Sequence, residues 1–184
     1  VQAVAAHPVQ LLARVHRLFD LKCQPLDIAA HLGPLAAARP GLRLPGAFDG
    51  FEAAVRAVLG QQVTVRAATT LAGRFAQAFG TPLPTPWPEL THTFPLPLQV
   101  VAASKDAIAS LGIIGTRAAT LQHLATALHD GTLRLEPGGD VARTMAQLQA
   151  VPGIGAWTAH YLAMRALGWP DAFPNTDFGV KKGL

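Results

Sequence analysis

The residues best placed to do chemistry lie between Leu148 and Asp177. Pro152-Gly-Ile-Gly155 closes one apolar-periodic segment, and a second helical pattern begins immediately at Ala156. A helix that starts directly after so tight a turn exposes unpaired backbone N–H groups, with the positive end of the helix dipole behind them. Gly153, Gly155 and Ala156 are therefore candidates for holding a phosphate. Twenty positions after Trp157 comes Asp177, a carboxylate at the predicted start of another helix. A phosphate clamp followed by a lone acid points to an enzyme acting on nucleic acid. A plainer reading stands beside it. The turn can be an ordinary αα-corner, and Asp177 a helix-start acid that interacts with the macrodipole behind an Asn175 or Thr176 cap.

Composition narrows the chemistry. The chain has 184 residues, enough to bury a sizeable core as one domain or two small lobes. No apolar run is long enough to cross a bilayer, and Val1–Ala6 lacks the basic start of a secretory signal. The single Cys23 excludes an internal disulfide or a four-cysteine cluster within these residues, and a reducing, cytoplasmic compartment is expected. The seven histidines show no metal-ligand spacing joined to an acid, so no metal site and no cofactor are expected. The net charge of +4 suits a polyanionic partner without identifying one.

The elements that must position the turn and the acid read as helices nearly throughout. Leu11, Leu12, Val15, Leu18 and Phe19 form one stripe, and Pro25 opens a short helix that ends near Gly33. Asp49 and Glu52 are spaced as a capping box ahead of Phe51, Ala54, Val55, Val58 and Leu59. Gly60-Gln-Gln-Val-Thr64 interrupts that helix, and Thr64 can cap the next, which runs to about Phe79 before Gly80. Prolines then recur from Pro82 to Pro97, too densely for a long helix. This stretch reads as a surface connector anchored by Leu83, Trp87, Leu90, Phe94 and Leu96. Helical pattern resumes over 98–103, 104–111 and 116–129, and Asp140 can cap the helix leading to Ala150. The fold class is all-α.

With the turn, the acid and the glutamine segment in hand, the chain resembles the helix-hairpin-helix DNA glycosylases. Within them it is most similar to the 3-methyladenine DNA glycosylase II branch, which includes versions fused behind an adaptive-response methyltransferase. Three blocks in order carry the likeness. They are Phe48–Glu52 through Leu59–Val63, the 111–124 segment with Gly112 and Arg117, and the hairpin through Asp177. The resemblance implies a two-lobed helical bundle, with residues 1–47 as an N-terminal helical segment and 48–184 as a core whose hairpin spans 148–161. It also implies a small β-rich region before Val1 and further helices after Leu184. With no initiator Met present, the sequence is expected to be a piece of a longer protein, truncated at both ends.

The resemblance also implies roles. Asp177 aligns with the family's essential aspartate, which would stabilise an oxocarbenium-like sugar and orient or deprotonate the attacking water. Trp157 stands where bifunctional relatives carry a Schiff-base lysine, so a monofunctional glycosylase is expected. Trp157 and Tyr161 share a helical face and can stack on a flipped, electron-poor purine, with roughly 0.5–2 kcal/mol of cation–π attraction. Alternatively, both rings are core. Gln61 and Gln62 lie where the family meets DNA near the extruded base. They can fill the gap it leaves, hydrogen-bond the estranged base, or satisfy backbone groups between helices. The implied partner is double-stranded DNA with alkylated bases, at the bacterial nucleoid, bound by a monomer with a monovalent cation at the hairpin carbonyls. A non-catalytic DNA-binding hairpin module, a glycosylase for other damaged or mismatched bases, and an RNA- or protein-binding helical module remain as alternatives.

Overall fold

The structure, a computed structural model, describes residues 7–183, so the N-terminal stretch read as lacking a secretory signal lies outside them. The described residues are helical with no β-strand, as the all-α reading expects. Their one extended pairing is an isolated antiparallel bridge between Pro82 and His92. None of these helices is long and apolar enough to cross a membrane.

The chain divides into two compact units, residues 1–49 and 50–184. In the first, α1 (Pro8–Leu18), α2 (Pro25–Leu32) and α3 (Pro34–Ala37) each open on a proline, whose missing N–H is one that a first turn leaves unbonded anyway. Gly33, at φ 53°, ends α2 and turns the chain into α3. None of the three helices buries a residue. Arginines hold the unit together instead. Arg17 donates to the Ala47 carbonyl at 3.3 Å, Arg43 donates to the carbonyls of Asp20 and Cys23, and Arg14 lies over the Phe48 ring at 5.5 Å.

The second unit contains the apolar core. Its first helix, α4 (Gly50–Leu59), buries Phe51, Ala54, Val55, Val58 and Leu59, the stripe expected from periodicity. Thr64 accepts the Ala67 N–H at 3.2 Å and starts α5 (Val65–Phe79), which ends at Gly80. After the connector come α6 (Pro97–Val101) and α7 (Lys105–Ala109), both packed on α8 (Gly115–His129). Asp140 accepts the Arg143 N–H at 3.0 Å and opens α9 (Val141–Ala150). Next is α10 (Ala156–Arg165), which lies against both α9 and α4, and last is α11 (Phe178–Gly183).

The connector departs from expectation. Leu83, Trp87, Leu90 and Leu96 are all exposed, and of the five expected anchors only half-buried Phe94 packs inward, beside buried Pro95. That ring packs against Phe51 and Phe75 with centroids 6.4 and 5.9 Å away, and the Arg56 guanidinium lies over it at 5.6 Å. The rest of the segment is held by backbone bonds, Leu83 N–H to the Thr91 carbonyl and Thr93 N–H to that of Thr81.

Candidate active site

The hairpin joins α9 to α10 through Val151–Gly155, and its two glycines do different work. Gly153 sits at φ +91°, a left-handed conformation that favours glycine, and a Cβ there would lie 2.1 Å from the Thr120 hydroxyl of α8. Gly155 has an ordinary φ of −90° and open space where a Cβ would go. Gly153 is thus required by packing within the protein, whereas Gly155 leaves the approach to the α10 N-terminus clear. Ala156, also exposed, is the first residue of α10. No side chain caps that terminus, so its first N–H groups remain free for an anion.

The turn is clamped from behind. Thr120, buried on α8, donates its hydroxyl to the Pro152 carbonyl at 2.8 Å. Gln61 donates its amide to the Gly153 carbonyl at 3.1 Å and to the buried Thr158 hydroxyl at 3.2 Å. Arg117 of α8 in turn donates to the Gln61 backbone carbonyl. Of the readings open for the glutamines, Gln61 takes the internal one: it ties the α4–α5 turn to the hairpin. Gln62 is different. It is exposed, makes no hydrogen bond among the described residues, and holds φ +55°, uncommon for a residue with a side chain. Thr120 and Thr158 carry no sequence signal that would have marked them, and Arg117 was marked only as part of the 111–124 block and not for this contact, because the partners are 32, 97 and 56 positions away.

Asp177 and Trp157 come together. The Trp157 indole N–H donates to Asp177 Oδ2 at 2.8 Å. The other carboxylate oxygen, Oδ1, accepts the backbone N–H groups of Gly179 at 2.8 Å and Val180 at 3.2 Å. Asp177 therefore caps α11 itself, correcting the expectation of a cap at Asn175 or Thr176. Its side chain reaches the free N–H groups of its own helix and leaves no such role for those residues. The Trp157 indole, then the Val180 N–H, hold the Asp177 carboxyl below the usual carboxylate range. Partial burial opposes them and the Gly179 N–H adds to them.

Trp157 and Tyr161 stack on each other, with centroids 5.3 Å apart and planes 16° from parallel. The surfaces they present to one another are taken up, so a planar ligand cannot lie between them. Arg165, one further turn along α10, places its guanidinium over the Tyr161 ring at 5.8 Å. Its i+4 spacing from Tyr161 makes this contact readable from residue order alone. Lys181 and Lys182 are exposed on α11, and Asp171 is exposed and apart from these contacts.

Residues 55–184 match the profile of the HhH-GPD superfamily of base excision DNA repair proteins, and residues 2–49 match the AlkA N-terminal domain. The chain is 46% identical to DNA-3-methyladenine glycosylase 2 of Escherichia coli, over 94% of its own length and 61% of that protein's. It is 42% identical to a probable bifunctional transcriptional activator/DNA repair enzyme AlkA of Mycobacterium tuberculosis, over 92% of this chain and 35% of that one. It thus spans between about a third and two thirds of the relatives it matches. The fold is similar to that of a 3-methyladenine DNA glycosylase from Archaeoglobus fulgidus, with a TM-score of 0.74 and 20% identity over 96% of this chain and 62% of that one.

Proposed function

The chain belongs to the HhH-GPD superfamily of base excision DNA repair proteins, and from that premise we propose that it is a monofunctional DNA glycosylase. Its substrates on this reading are alkylated purines of the 3-methyladenine type in duplex DNA, as the name of the Escherichia coli relative suggests. The observation that carries the proposal is the Trp157–Asp177 contact, a carboxylate held by an indole in the first turn of the hairpin's second helix.

The reaction follows from that geometry. The free N–H groups at Gly155 and Ala156 hold one strand by its phosphate, without reading sequence. Gln62, exposed at the tip of the α4–α5 turn, meets the gap or the estranged base when a purine is flipped out. An alkylated purine with a positive charge leaves C1′ with the bonding electron pair and becomes neutral. The sugar becomes oxocarbenium-like, and the Asp177 carboxylate stabilises it. Water then bonds to C1′ and passes its proton to bulk solvent. Three donors on Asp177 lower its basicity, which supports charge stabilisation over deprotonation as its main contribution. Trp157 supplies a ring to the base pocket but no amine, so no Schiff base forms at its position. Tyr161 and Arg165 brace that ring from behind.

The carbonyls of Pro152 and Gly153 already accept from Thr120 and Gln61. Each keeps a second lone pair that could ligate a monovalent cation at the hairpin, as the resemblance implies, and no step of the proposed reaction runs through one. The reading places the protein in the cytoplasm, acting as a monomer on nucleoid DNA.

The test is base release from methylated duplex DNA. Asp177→Asn is expected to lose at least a hundredfold in single-turnover rate, as removal of a charge-stabilising group typically does, while still binding the duplex. An unchanged rate would end the catalytic assignment. Borohydride trapping of a protein–DNA adduct would end the monofunctional one.

A further inference from the structure

The turn that carries Gln62 has a second side. Between the start of α5 and the 112–117 segment runs a groove of about 530 Å³ lined by Thr64, Arg66, Thr70, Arg74 and Arg117, with no acidic residue in its walls. Two of its three guanidinium groups are fixed by the protein. Arg74 donates to the Leu111 carbonyl at 3.1 Å, and Arg117 to that of Gln61. Arg66 is exposed and has no ion pair or side-chain hydrogen bond among the described residues. It also sits in the first turn of α5, where the helix dipole disfavours a cation, and that turn has no acid to offset it. Helix stability therefore gives no reason for a guanidinium at this position. An anion brought from outside would.

The location of the groove indicates which anion. Arg117, in its wall, holds the backbone of Gln61, and the Gln61 side chain holds the Gly153 carbonyl of the hairpin. Groove and hairpin thus flank a single residue, Gln61, and exposed Gln62 follows it in the same turn. Resting on the glycosylase reading, in which the hairpin grips the strand carrying the damaged base, we infer that this groove binds backbone phosphates of the opposite strand. Arg66 makes the direct contact, and Arg74 adds its remaining N–H groups. A guanidinium suits this task because its planar fork can pair two phosphate oxygens at once.

The test measures binding to a duplex and to the lesion-bearing single strand over a range of salt concentrations, for the parent protein, Arg66→Gln, Arg66→Lys and Thr70→Glu. Each lost phosphate contact lowers the magnitude of the log K against log salt slope by about 0.9 on duplex DNA. Arg66→Gln is expected to show that decrease on the duplex and no change on the single strand. Arg66→Lys should restore most of the slope. Thr70→Glu, which places a carboxylate in the groove, should weaken duplex binding more than Arg66→Gln. Both positions are exposed, so melting temperatures should not move. An unchanged duplex slope in Arg66→Gln would overturn the proposal. An equal loss on the single strand would also overturn it, because the groove would then serve the strand held by the hairpin. A parent protein that binds no duplex at all would remove the glycosylase reading beneath it, a result distinct from either slope outcome.

Discussion

Replacing Trp157 with phenylalanine separates its two contacts. Trp157→Phe keeps an aromatic ring beside Tyr161 but removes the indole N–H that lies 2.8 Å from Asp177 Oδ2. A hydrogen bond to an ionised group contributes about 1.5–3 kcal/mol. With about 1.4 kcal/mol to each factor of ten in rate, the expected loss in kcat/KM is roughly tenfold to a hundredfold. The pH dependence gives a second readout that simple loosening of the site would not move. The indole is the largest cause of the depressed Asp177 pKa, so the parent carboxylate stays ionised to lower pH than an ordinary aspartate. Without the indole its pKa rises, and the acid limb of the single-turnover pH–rate profile moves to higher pH. Stability follows the same sign. The ionised Asp177 stabilises the fold above the unfolded carboxylate pKa, and this contribution is lost as pH falls through the depressed folded value. The melting temperatures of parent and variant should therefore differ at neutral pH and converge in acid. A Trp157→Phe protein with kcat/KM within twofold of the parent and an unmoved acid limb would refute the claim that the indole sets the state of Asp177.

The other expectations concern the hairpin and its clamp. Gly153→Ala forces a side chain into the left-handed region and against the Thr120 hydroxyl. It should destabilise by at least about 1–2 kcal/mol from the backbone alone, read as a fall in midpoint on chemical unfolding. Gly155→Ala meets no atom within 4 Å, so its unfolding midpoint should hold while its duplex affinity drops, because the added methyl stands where the phosphate approaches. Gln61→Ala leaves the Gly153 carbonyl and the buried Thr158 hydroxyl without their shared donor, and should cost about 1–3 kcal/mol by thermal or urea melting.

Much of the local structure was legible in residue order. Thr64, Ser104 and Asp140 each accept the N–H three positions on, and α5, α7 and α9 begin directly after them. Capping and periodicity are properties of neighbours in sequence, so they can be read without a fold. The connector shows the limit of that reading. Leu83, Trp87, Leu90, Phe94 and Leu96 look equally suited to anchor it, yet of these only Phe94 meets rings on α4 and α5, those of Phe51 and Phe75. The depth to which a side chain is buried depends on what the opposite element presents.

The candidate site divides along the same line. Residue types and spacing marked the Pro-Gly-Ile-Gly turn and the acid at Asp177, because a helix start after a tight turn is a local event, whereas the meaning of a tryptophan in place of a lysine at position 157 came from the family resemblance. Tertiary structure decided how those residues are used. It separated Gly153, fitted against Thr120, from Gly155, open to solvent, and Gln61, tied inward, from Gln62, left outward. It joined the Trp157 indole to a carboxylate 20 residues away. Contacts of this kind depend on how the helices cross, and the sum of their buried faces sets those crossings, so no short stretch of sequence encodes them.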